Sequence, residues 1–166
     1  KERIHSEPEF QRTRENNVEF GGSATAAKSL RLALATVLQT MGDERLASRL
    51  TKLFKEINLK GIGPRGQRPI TVSGNRTMLE NMDFNIHSHT SSVFHAPFSF
   101  SNNAPRTQGT ITVPAFLPSS FISAPAGATH FRLLTAIGAV SDYVYNASTF
   151  HYEPTDPALN TLSGVA

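Results

Sequence analysis

The chain has no cysteine. Disulfides, thiolate metal sites and cysteine nucleophiles are therefore excluded. No apolar run reaches the ~18 residues that a membrane-spanning helix needs. Charged residues make up only 17% of the 166, against 39% hydrophobic. That balance supplies a lean core and argues against disorder, which goes with high charge and few apolar residues. The familiar enzyme motifs are missing too. There is no Gly-x-Ser-x-Gly elbow, no His-Glu-x-x-His and no Gly-x-Gly-x-x-Gly after a strand. Carboxylates are scarce in the second half: Asp83, Asp142, Glu153 and Asp156. No cofactor and no small-molecule substrate is implied, and the expectation is a protein without enzymatic activity. No signal peptide is visible, and the cytoplasm is the favoured compartment.

What the chain does have is divided unevenly. Residues 1–80 carry 14 Lys/Arg against 9 Asp/Glu, a balance of +5, and residues 81–166 carry 2 against 4, a balance of −2. Seven of the ten prolines lie at or beyond Pro97, so the second half is the one with many turns. The expected class is α+β. A helical unit spans 1–60, a basic Gly/Pro loop and linker 61–82, and a β-rich, sandwich-like unit 83–166.

In the helical unit, Ser6-Glu7-Pro8-Glu9 has the form of a capping box opening a helix from about Glu7 to Phe20. Gly21 and Gly22 are expected to end it. A helical hairpin follows. Leu30, Leu34, Val37, Leu38 and Met41 form one apolar stripe, and Leu46, Leu50, Leu53, Phe54 and Ile57 the other. Gly42 is expected to close the first helix and Asp43 to cap the second. The polar faces, with Lys28, Arg31, Arg45, Arg49, Lys52 and Lys55, are the expected contact surface.

In the second half, Ile70–Val72, Ser92–Phe100, Thr110–Val113, Thr129–Ile137 and Asp142–Tyr145 read as short strands, Thr129–Ile137 most convincingly. Phe94, Phe98 and Phe100 alternate as on a half-buried strand, and Pro97 makes it an edge. The tail after Tyr152 has little pattern.

The opening block Lys-Glu-Arg-Ile-x₃-Pro-x-Phe-x-Arg-Thr-Arg-Glu-Asn-Asn-x-Glu-Phe-Gly (residues 1–21) resembles a family of uncharacterised bacterial proteins, mostly from Bacteroidota. Shorter blocks extend the likeness to about residue 135: Ser48–Thr51, Arg65–Arg68, Asp83–Asn85, Ala96–Phe98 and Ala128–Phe131. The resemblance implies further β segments on both sides, so that this chain is the middle of a longer protein. It carries no catalytic residues over.

Three candidate sites emerge from the residues. His87, His89 and His95 share parity, and on one straight strand they would project from one face, as zinc or copper ligands do. The alternative is an ordinary polar strand face. Arg65 and Arg68 lie in a glycine-rich loop able to approach phosphate, though no Gly-Lys-Ser/Thr follows; equally, they can pair with carboxylates of the helical half. Arg12, Arg14, Lys28 and Arg31 make the first helices basic, a pattern that contacts nucleic-acid phosphates. Interleaved Glu7, Glu9, Glu15 and Glu19 make the same face an ordinary solvated one. Asn75-Arg-Thr77 and Asn146-Ala-Ser148 match the glycosylation sequon, a frequent chance match. The leading expectation is a structural or interaction protein that contacts itself or another protein, self-assembling through strand edges such as 92–100. Nucleic-acid binding and a histidine metal site are the alternatives.

Overall fold

A long helix supplies one wall of the core. In the computed structural model, which describes residues 2–80, 82–104 and 107–165, this helix (α2) runs Gln11–Ala33. It is preceded by α1 (Glu2–Ser6) and a 3-10 turn over Pro8–Phe10. The expected capping box at 6–9 therefore does not open the helix. No side chain caps the turn at Glu7, and the long helix begins after it.

Nor do Gly21 and Gly22 end the helix. They lie in its middle, and the reason is packing. The buried face of α2 is Glu19, Gly22, Ser23, Ala26 and Ala27, the spacing of one helix face. All but Glu19 are small. A Cβ on Gly22 would lie 2.4 Å from the Tyr152 ring, so the bare backbone makes room for a strand laid across it. The cost of helical glycine, ~1 kcal/mol, is offset by that close approach.

The helix breaks at Leu34, eight residues earlier than the expected Gly42, and a single turn, α3 (Ala35–Leu38), follows. Gly42 is not among the glycines with positive φ. α4 (Leu46–Lys60) matches its expected stripe, burying Leu46, Leu50, Phe54 and Ile57 against α2. Asp43 accepts from the Arg45 amide at 2.9 Å just ahead of α4. The loop 61–69 leads to Ile70, which forms an isolated bridge to Tyr143 and no longer strand. A 3-10 segment, Ser73–Met78, comes next.

The β structure among the described residues is three separate two-stranded antiparallel sheets. β1 (Ser99–Asn102) pairs with β2 (Gly109–Thr112), placing Phe100 opposite Ile111. β3 (Ala136–Gly138) pairs with β6 (Ser163–Val165). β4 (Tyr143–Asn146) pairs with β5 (His151–Pro154), placing Tyr145 opposite Tyr152. Mixed α and β structure is thus present, but the described residues form no sandwich.

Two further strand expectations fail. Ser92–Phe100 is interrupted: Thr90–Val93 is a helical turn (α5), Phe94 makes only an isolated bridge to Ile122, and a continuous strand begins at Ser99. Of Thr129–Ile137 only the last two residues pair, within β3. Residues 129–135 are assigned to no strand ladder, and Phe131 instead joins an aromatic contact with Phe116. Conversely, the patternless tail after Tyr152 holds the end of β5 and the whole of β6. A last helical turn, α6 (Pro118–Phe121), lies between β2 and β3.

The core cluster joins Ala26 and Ala27 of α2, Leu46, Leu50, Phe54 and Ile57 of α4, Ile70, Val72, Tyr143 of β4 and Tyr152 of β5. It draws on both halves of the chain. Tyr143 is fixed by hydroxyl bonds to Ser29 (2.6 Å) and Asn160 (2.9 Å). Among the described residues, no helix is long and apolar enough to cross a membrane.

Candidate functional site

The arginines are the first group the fold places. Glu19 is fully buried, and Arg68 forks onto it through Nε (2.8 Å) and Nη2 (2.7 Å). The Lys55 ammonium and the Gly66 amide donate to the same carboxylate. Burial alone would push this carboxyl up, since a charge loses its hydration. The Arg68, Lys55 and Gly66 donors outweigh it and hold the group at about 2. Asn58 donates to the Arg68 carbonyl, and so does the Tyr152 hydroxyl, at 2.8 Å. Burial pushes that phenol up to about 12. Loop 61–69 is thereby fastened to α2, α4 and β5.

Arg65 lies 3.7 Å from Glu15. Arg14 donates to the carbonyls of Ile4 and Glu7 at 2.8 Å each, closing the turn that precedes α2. Arg12 and Lys28 are exposed. Of the expected contact face, Arg49 is turned inward to Asp43 and to the Asp83 carbonyl.

The histidines do not share a strand. His87 lies in a turn and His89 precedes α5, where its Nδ1 meets the Asp83 carboxylate at 2.5 Å. That contact holds Asp83 below the usual carboxylate range. His95 lies beyond α5, with Nε2 at 3.0 Å from the Ser123 hydroxyl. No group of three or more metal-ligating side chains is assembled among the described residues.

The feature that most needs an explanation is apolar. Between 85 and 139, Ala96 is the one buried residue among those described. In the β1–β2 hairpin both faces are open, since every residue of the two strands except Gly109 is exposed; on one of them Phe100 is 56% exposed and its cross-strand partner Ile111 is 42% exposed. Beside it lies an aromatic cluster centred on Phe116, with ring centroids at 5.7 Å to Phe94, 6.3 Å to Phe121 and 5.9 Å to Phe131. Phe98 extends it through Phe94 at 6.4 Å. Backbone bonds between His95 and Phe121 and between Ser123 and Val93 tie its two strips together. Leu117, Phe131, Leu133 and Leu134 are exposed alongside. The aromatic alternation hinted at this surface in the sequence. Its extent was hidden, because the same residues read equally well as the inner face of a sandwich.

Compared with family models, curated proteins and solved structures, the chain matches none.

Proposed function

We propose that the protein is a non-enzymatic interaction protein that self-associates through the surface formed by the β1–β2 hairpin and the Phe116 cluster. The observation that carries this reading is the hairpin. A lone two-stranded hairpin is at best marginally stable in water, and this one buries neither face. Its strands, Ser-Phe-Ser-Asn and Gly-Thr-Ile-Thr, hold no charge and no proline. These are the usual devices that keep an edge from pairing. An uncharged edge is complementary to its own copy, since backbone donors and acceptors alternate along it. Exposed aromatics beside it add the apolar area that such a contact needs. On this reading, the second layer of a sandwich comes from the hairpin of a neighbouring copy. Nucleic-acid binding has less support, because Arg14, Arg65 and Arg68 are three of its six cations and all are engaged within the chain.

Light scattering across a concentration series is the test. The mass should rise above that of one chain. The double variant Phe100→Asp/Ile111→Asp should stay at one chain while keeping the helical circular dichroism. A strict monomer at the highest concentration would overturn the proposal.

A further inference from the structure

One buried side-chain nitrogen or oxygen has no hydrogen-bonding partner among the described residues: the Nε of Arg31. Buried donors are nearly always matched, so an orphan points to an acceptor yet to be supplied. Arg31 stands in the last turn of α2. Its charge suits the carbonyl end of a helix, but no carbonyl accepts from Nε. The side chain lines a cavity of about 460 Å³ bounded by the end of α2, by α3 and by the start of α4. Lys28, three residues earlier and so on the same helix face, lines it as well. Much of the remaining wall is aliphatic, from Leu32, Leu38, Leu46 and Ala47. Asp43 and Glu44 also line it. Asp43 is engaged by the Arg45 amide and the Arg49 guanidinium; Glu44 is exposed.

We infer that this cavity binds a small organic acid, its carboxylate on Arg31 and Lys28 and a short aliphatic body against the leucines. A guanidinium matches a carboxylate with parallel N–H donors, which a lone ammonium does not. The cavity falls within the ~300–1,000 Å³ of small-molecule sites. A bare inorganic anion would leave the aliphatic wall wet, so the apolar body is part of the match. The site lies on the helical side of the molecule and stands apart from the self-association proposed above.

Octanoate titrated into the full chain tests this, read by calorimetry and by the Arg31 Nε–H resonance in proton–nitrogen spectra. Binding should saturate at one site and move that resonance. Arg31→Lys should weaken it about tenfold, because the fork is lost, and Glu44→Gln should leave it within about twofold, because the exposed Glu44 does not hold Arg31. Acetate and inorganic phosphate should bind more weakly than octanoate. An acetylated dipeptide ending in leucine should bind as its free acid and not as its amide. Three results would overturn the inference. The first is no saturable binding of octanoate. The second is binding unchanged in Arg31→Gln with helix content intact. The third is an Arg31 resonance that moves on Glu44→Gln without any ligand, which would make Glu44 the missing acceptor.

Discussion

The molecule contains two regions built on opposite terms. In one, α2 and α4 close on β4 and β5. Its core cluster is buried, although Phe20, Leu32, Leu59 and Val144 stay exposed on the outer faces of these elements, and the fully buried Glu19 carboxylate has four donor bonds. In the other, residues 85–139, large apolar side chains are held in place by a few backbone bonds yet left open to water. The first region is closed within its own chain. The second has a local order whose apolar area is uncovered, and this is why it directs attention outward. On the self-association proposed above, stability and interaction fall to different stretches of one sequence.

The largest expected break in that comparison is at Glu19. Glu19→Gln leaves Arg68 and Lys55 without their anion and should cost roughly 3 kcal/mol in urea unfolding, the scale for a broken buried pair. The same group sets a pH signature. Its folded value near 2 is below its ordinary 4.5, so its contribution is complete above 4.5 and is lost as pH falls toward 2. In Glu19→Gln, the acid-side loss of stability over that window should shrink. If the two unfold identically with pH, the pair does not hold the loop.

Adjacent glycines give a smaller and sharper contrast. Gly22→Ala drives a Cβ into the Tyr152 ring and should cost about 1–2 kcal/mol net of the helix-propensity gain. Gly21→Ala meets nothing within 4 Å and should stabilise by ~0.5–1 kcal/mol. Equal effects at the two positions would mean that β5 does not press on α2. The smallest effect is expected at Phe98, which is exposed and outside the core cluster. Phe98→Ser should change monomer stability by less than ~0.5 kcal/mol, yet weaken association measurably.

The parts legible in the sequence were those decided locally. The stripe of α4 needed only helical spacing, and the short strand read at Thr110–Val113 is found one residue earlier as β2. What escaped was decided across the chain. Gly22 read as a helix stop because its reason for being glycine is Tyr152, distant in sequence and adjacent in space. Glu19 read as a surface charge because Arg68, Lys55 and Gly66 come to it only in the fold. The strand reading of Thr129 to Ile137 carried no information about whether another strand was present to pair with it. For Arg68, phosphate contact and an internal ion pair were both readable; the fold supplies the second.

Loop 61–69 has one further consequence. Its glycines and prolines mark it as the natural place to cut the chain, insert a tag or open new termini. The Gly66 amide and the Arg68 side chain, bound to Glu19, turn it into a seam whose two sides belong to the same joint. Protein engineers would do better at Pro125–Ala128, where every residue is exposed, and proteases that favour arginine should find Arg132 before Arg68.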